Sequence, residues 1–414
     1  MFRKSFSHSS KLWGSAKKFM TANTRAFGFY SKPKGFPSSK LNYLKYLAPF
    51  ALMAGAVYGT SEGKLGKTFA RLASGVIPVH KEVKAECGPT QQPDLMKSRV
   101  NIIQLPANHP CEDRFDAHQL RHSKGYSVAV YDGHGGWQIS EYAMANLTNY
   151  LDKHLEKATT DEQIKEAITK AYDQVEQECF ERCKGAFEMG FPKAAYVGAC
   201  ALVSVIKGNK LYVAQAGDSE AVLIRRKEGG EFESIKVCKA YTCNDPDEQK
   251  RLKAEFPKEP SIVKCRSPTA CYVKGSLMPS RALGDFRLKH KELNFHNKSP
   301  EYGYRQPFRV HDGPYITHKP DIRAFDLTKD DAFLILASDG LWDEMKVEEV
   351  PEVIKGKNHQ KEVGEILLNE CLNRVSQERG YSRDYISHLR AGPERRNVVD
   401  DITIVVVDLQ NQAQ

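Results

Sequence analysis

Four short acidic motifs constrain this chain more than any other feature. They read Cys111-Glu112-Asp113, Tyr131-Asp132-Gly133-His134-Gly135-Gly136, Ser338-Asp339-Gly340-Leu341-Trp342-Asp343 and Asp400-Asp401-Ile402-Thr403. Three of them abut an apolar run: Val128–Val130, Phe333–Leu336 and Ile404–Val407. A carboxylate at the end of a buried strand is rigidly held where the chain turns out to solvent. Several such carboxylates brought together cannot all stay ionised unless a cation offsets their repulsion. Hard oxygen ligands without a Cys or His cluster favour Mg²⁺ or Mn²⁺ over zinc. Any one motif alone reads as an ordinary turn or helix N-cap. The ordered set points to a multi-carboxylate divalent-metal centre.

Charge divides the chain. The whole carries +9, yet the first 100 residues hold 17 of the 61 Lys and Arg and only 4 of the 52 Asp and Glu. The remainder is slightly acidic, which gives no ground for nucleic-acid binding by the globular part. Residues 1–40 are basic, Ser-rich and free of acid, with Phe, Leu and Trp interleaved among Arg3, Lys4, Lys11, Lys17, Lys18 and Arg25. That composition marks a mitochondrial presequence, with a basic tail or membrane-surface anchor as the other reading. Residues 41–61 contain an uncharged stretch, Tyr46 to Ser61, shorter than the ~20 residues that span a bilayer. It reads either as a short anchor with Lys45, Tyr46 and Tyr58 at the interfaces, or as a buried or docked helix. Residues 62–100, rich in Gly and Pro, read as a linker. Ten cysteines without regular spacing read as thiols rather than a disulfide frame or a zinc site.

From 101 to 410 strands and helices come in blocks. Tyr126–Tyr131 reads as a strand; Gln138–Leu155 carries helical spacing; a second helix starts at Asp161 with Thr159 or Thr160 as its cap. Ala199–Lys207 and Lys210–Ala216 flank Gly208-Asn209, a two-residue hairpin turn, and Ala221–Arg226 and Ser234–Val237 flank Gly229-Gly230. Apolar runs at 332–337 and 402–409 add strands, with a helix near 359–378 between them. Hairpins bracketed by helical pairs imply an α+β fold of two stacked antiparallel sheets covered by helices.

With these motifs in place, the chain resembles the metal-dependent (type 2C) protein serine/threonine phosphatases from about Asn101 to Leu409. Within that family it is most similar to the mitochondrial pyruvate dehydrogenase phosphatases. The finer likeness rests on Gln104–Arg114, Arg251–Pro257 and Leu277–Asp285. The resemblance implies a four-layer α-β-β-α sandwich and two Mg²⁺ or Mn²⁺ ions. Asp132 would bridge the ions and the Gly133 carbonyl would contact one. Glu112 and Asp113 would hold the second ion, and Asp339 and Asp400 would complete the first. Asp218, in Gly217-Asp218-Ser219, matches a weaker third metal site.

The resemblance also implies the chemistry: a water of lowered pKa attacks phosphorus in line, and His134 protonates the departing Ser or Thr oxygen. A histidine in a turn is, by itself, more often merely solvated; its place in Asp-Gly-His-Gly-Gly favours the acid. Three departures stand out. Asn108 occupies the position of the family's phosphate-binding arginine, and so would bind substrate without charge. Glu220 replaces an arginine and would either tighten the third ion or face solvent. Ala240-Tyr241-Thr242 replaces Asp-His-Asn. Residues 256–275 would form a flap whose Lys258, Lys264, Arg266 and Lys274 could meet acidic substrates. The implied partner is a phosphoprotein substrate, in the mitochondrial matrix or at the inner membrane. The alternative is a phosphatase-like docking subunit of an inner-membrane complex.

Overall fold

In the computed structural model the described residues are 99–123, 125–294, 308 and 312–410. The presequence-like segment, the apolar stretch and nearly all of the linker lie outside them, though Val100 already belongs to a strand.

The apolar runs become strands buried on both faces, which is why they read as continuous rather than alternating. One sheet orders β1 (Val100–Leu105), β13 (Ile402–Asp408), β12 (Asp331–Ala337), β6 (Glu220–Arg226) and β7 (Phe232–Lys236). The other orders β11 (Asp321–Asp326), β5 (Lys210–Ala216), β4 (Gly198–Lys207), β3 (Gly125–His134) and β2 (Arg114–Leu120). The short β10 (Leu283–Gly284) adds to β4. All the pairings within the two sheets are antiparallel.

Strand alternation sorts the side chains into three cores. Val128 and Val130 of β3 meet Leu334 and Leu336 of β12 and Val405 and Val407 of β13 between the sheets. Their neighbours Ala129 and Tyr131 face outward onto α1 (Gln138–Leu155) and α2 (Asp161–Glu188). Phe333, Ile335, Ile404 and Val406 face the other way, onto α7 (Gln360–Arg379) and its neighbours. The result is helices, sheet, sheet, helices. α2 begins as its sequence demands: Thr160 accepts the Gln163 N–H, and Gln163 returns the bond in a capping box.

Smaller departures have local causes. β1, β2 and β11 escape sequence reading because their polar residues, such as Arg114, Asp116 and His118, interrupt any apolar run. The second hairpin closes through residues 227–231 rather than two glycines, with the Lys227 N–H donating to the Glu231 carbonyl at 2.7 Å. Gly229 and Gly230 both take positive φ inside that longer loop. The cysteine expectation is corrected at one place. β8 (Val263–Ser267) and β9 (Ala270–Val273) form a separate hairpin bridged by a Cys265–Cys271 disulfide. Antiparallel register sets those two residues opposite each other, a relation their spacing of six does not reveal. The other cysteines among the described residues are thiols, most of them buried.

Candidate metal centre

β3 leaves the interior at Asp132-Gly133-His134, which pair with Cys200, Ala199 and Gly198 of β4. Asp218 lies in the turn after β5, and Asp339 opens the short helix α5 (Asp339–Trp342) directly after β12. Three separate chain segments thus converge. One carboxylate oxygen from each of Asp132, Asp218 and Asp339 lies within 4.8 Å of the others. Asp218, expected to serve a weaker third ion, therefore lies in one cluster with Asp132 and Asp339. Cys200, beside Asp132 on β4, donates its thiol hydrogen to Asp218 Oδ1 at 3.0 Å.

The remaining acids surround that cluster in different ways. Asp113 is buried, and its Oδ2 accepts the Ser338 hydroxyl at 2.8 Å and the Thr403 hydroxyl at 2.7 Å. It thereby ties the ends of β12 and β13 to the start of β2. Glu112 and Asp400 are half-buried. Asp400 pairs with Arg396 at 2.7 Å, on the short helix α9 (Pro393–Arg396). Gly133 has no room for a side chain: a Cβ would strike the Glu112 carbonyl oxygen, so the acid-pair loop packs directly on β3.

Electrostatics identifies what the cluster fits. Burial first, then the charges of Asp339, Asp113, Asp218 and Asp400, pushes Asp132 well above the carboxylate range. Burial and the neighbouring acids do the same to Asp339. Asp113 is pushed up to about 7 and Asp343 to about 6, again by burial first. Glu112, Asp218 and Asp400 are raised as well, with burial the largest cause. One oxygen of Asp132, Oδ2, is buried with no hydrogen-bond donor. A buried lone pair without a donor, amid carboxylates that resist ionising together, fits a hard divalent cation.

His134 stands at the rim, its side chain a quarter exposed, with Nε2 at 2.6 Å from Asp285 Oδ2. Burial would lower its pKa, but the Asp285 charge and hydrogen bond outweigh that and raise it.

Three roles expected from sequence read differently in three dimensions. Asn108 gives its side-chain amide to Asp401 Oδ2 at 3.0 Å, so that group is engaged within the protein. Glu220 neither faces solvent nor joins the cluster, but pairs across the sheet with Lys236. Lys274 is not a free flap cation: it lies 2.6 Å from Glu259, and both are nearly buried. Lys258, Lys264 and Arg266 are exposed as expected.

Two important residues carry no role in the sequence reading. Asp401 accepts the backbone N–H of Ala107 at 2.5 Å, Asn108 at 2.8 Å and Glu112 at 2.7 Å, shaping the loop that presents Glu112. Asp285 lies 151 residues from His134, a separation at which no local pattern signals contact.

The Protein phosphatase 2C family matches residues 95–380. The "Probable protein phosphatase 2C 64" of Arabidopsis thaliana is 32% identical over 287 residues, covering 68% of this chain and 69% of that one. The "Probable protein phosphatase 2C 78" of Oryza sativa subsp. japonica is 32% identical over 287 residues, covering 69% and 70%. Among solved structures, a serine-threonine phosphatase 2C from Toxoplasma gondii shares the fold with TM-score 0.52 at 18% identity, covering 75% of this chain and 94% of that one. A C. elegans sex determining protein gives the same TM-score at 17% identity, covering 76% and 65%. This chain belongs to the protein phosphatase 2C family of metal-dependent protein serine/threonine phosphatases.

Proposed function

We infer that the chain hydrolyses phosphoserine and phosphothreonine in protein substrates with two divalent cations held by Glu112, Asp113, Asp132, the Gly133 carbonyl, Asp339 and Asp400. Asp218 would hold a third. The observation that carries this reading is the convergence of Asp132, Asp218 and Asp339 around a buried carboxylate oxygen that has no donor. When bound, such ions supply a water of lowered pKa and offset the charge of the phosphoryl oxygens. The protein's own groups do the rest. The strand ends fix the carboxylates without reorganisation, and His134 donates a proton to the departing oxygen. Asp401 and Asn108 hold the Glu112 loop at the rim.

The full chain loaded with Mn²⁺ is expected to hydrolyse a phosphoserine peptide and to stop on chelation. Asp132→Asn should lower kcat at least about 100-fold, since even groups that only support a metal ligand are worth 10- to 100-fold. Turnover that persists in EDTA would reject the metal reading. A second reading, a phosphatase-like docking subunit of an inner-membrane complex, is favoured by the Asn108 amide, which is engaged with Asp401 and carries no charge for phosphate. Calorimetric binding of Mn²⁺ by the full chain together with peptide turnover would dismiss it.

The mitochondrial location, and the pyruvate dehydrogenase complex as substrate, are supported by the acid-free basic N-terminus and by the motifs Gln104–Arg114 and Leu277–Asp285. Among the described residues no helix is long and apolar enough to cross a membrane, and residues 46–61 lie outside them. Carbonate extraction and protease protection of mitoplasts test the location. A membrane-retained, protected chain is expected; digestion in mitoplasts would place the catalytic domain away from the matrix.

A further inference from the structure

The chain at Leu283-Gly284-Asp285 is held in a shape it would not adopt alone. Gly284 lies at φ 76° and Asp285 at φ 50°, two successive left-handed residues, and the second is not glycine. Left-handed non-glycine residues are costly, and aspartate is among the few that take the conformation. The surroundings enforce it. β10 pairs with the start of β4, and the Asp285 N–H donates to the Val197 carbonyl at 2.9 Å. The Gly284 N–H donates to Glu176 Oε2 at 2.9 Å, and the buried Lys289 ammonium bridges Glu176 Oε1 at 2.5 Å and the Ala282 carbonyl at 2.7 Å. Gly198 leaves the space: a Cβ there would collide with both Asp285 Oδ2 and His134 Nε2. All of this converges on one contact, His134 Nε2 to Asp285 Oδ2 at 2.6 Å.

We propose that Asp285 is the positioning residue of the general acid: it holds the His134 ring through Nε2, so that the proton given to the leaving oxygen departs from Nδ1. The inference rests on the phosphatase reading above. In the step, an attacking hydroxide oxygen forms its bond to phosphorus as the ester P–O bond breaks. The electron pair of the broken bond passes to the serine or threonine oxygen, which takes the Nδ1 proton; the products are hydrogen phosphate and the free hydroxyl. The imidazolium becomes neutral imidazole and still donates Nε2–H to Asp285. A carboxylate that fixes ring orientation has the role of the aspartate in hydrolytic triads, reached here through the other ring nitrogen.

The test compares two substrates on the full Mn²⁺-loaded chain: a phosphoserine peptide, whose alkoxide must be protonated, and p-nitrophenyl phosphate, whose leaving group needs no proton. Asp285→Ala is expected to lower kcat on the peptide about 10- to 100-fold with little change in KM, and to leave the aryl phosphate within about threefold. Asp285→Asn, which still accepts from Nε2–H, should recover part of the loss. In a His134→Ala background, Asp285→Ala should add nothing, because the two act as a unit. In proton NMR of the wild type, a strongly deshielded Nε2 proton should be present, and it should vanish in Asp285→Ala.

Equal losses on both substrates, or losses from His134→Ala and Asp285→Ala that multiply, would show a structural role and overturn the assignment. Asp285→Asn and thermal unfolding of each variant separate that outcome from misfolding. Should the wild type hydrolyse neither substrate, the phosphatase reading itself fails and this inference falls with it. An active wild type with equal losses removes the inference alone.

Discussion

Two aspartates of the acidic motifs have opposite thermodynamic characters. Asp401 is a satisfied acceptor: three backbone N–H groups and the Asn108 amide converge on it. Its removal strands those donors, and an unsatisfied buried group costs about 1–3 kcal/mol. Asp401→Ala should therefore lower the unfolding free energy by about 3 kcal/mol in urea titration. An unchanged midpoint would mean that the Glu112 loop supports itself. Asp132 is the reverse case, a buried carboxylate crowded by other acids with one oxygen unpartnered. Without metal, Asp132→Asn should raise the thermal midpoint while abolishing any gain from Mn²⁺. A lower metal-free midpoint would contradict the account of that cluster as repulsive. Position in sequence does not distinguish the two kinds of aspartate; their donors do.

At the scale of elements, α2 links the helical layer to the edge of the site. The helix contributes Ile164, Ile168, Tyr172 and Val175 to the core, and on the same turn as Val175 it places Glu176 against Lys289. That pair is buried at both ends, so deleting one partner leaves an uncompensated charge, typically at 3–5 kcal/mol. Glu176→Ala should reach that range by chemical denaturation. The double substitution Glu176→Leu/Lys289→Met should be milder, because no lone charge remains. Equal losses would show that the Gly284 N–H bond, and not the ion pair, carries the stability. Since this pair also holds the Asp285 strap, Glu176→Gln should slow phosphopeptide turnover, at a stability cost in the same range because Lys289 again loses its counter-charge.

For the whole molecule, the acidic centre sets a pH dependence. Asp113 and Asp343 have folded pKa values raised to about 7 and about 6 from a usual 3.8. Between the unfolded and folded values the native state binds more protons than the unfolded state, so stability falls as pH rises through that window. His118, hydrogen-bonded to Asp116, and His134 are also raised, and their contribution is likewise lost as pH rises through their folded values. Carboxylates with lowered pKa, such as Asp245 and Glu248, exert their opposite effect only below about pH 4.5. The metal-free chain should therefore melt at a lower temperature at pH 7.5 than at pH 5. Mn²⁺ at a hundredfold over its Kd should restore about 2.7 kcal/mol, or roughly 5–10 °C at pH 7.5, and less at pH 5. A metal-free midpoint that is flat or rising between those pH values would contradict the proposed charge crowding.

What the sequence determined by itself is the set of strand ends and the chemistry fastened to them. Val128–Val130, Phe333–Leu336 and Ile404–Val407 are apolar runs that bury both faces, and the acids beside them leave the interior where the runs stop. Helices α1, α2 and α7 were legible because apolar spacing and a cap are properties of neighbours in the chain. What depends on distant segments meeting needed the tertiary structure: Asp218 entering the Asp132–Asp339 cluster and Asn108 turning to Asp401; so did the hairpin register that sets Cys265 opposite Cys271. Asp285 is the clearest instance. Its left-handed backbone and its contact with His134 are imposed by β4, Glu176 and Lys289, because a strained residue keeps its shape only where the surrounding packing over-determines it.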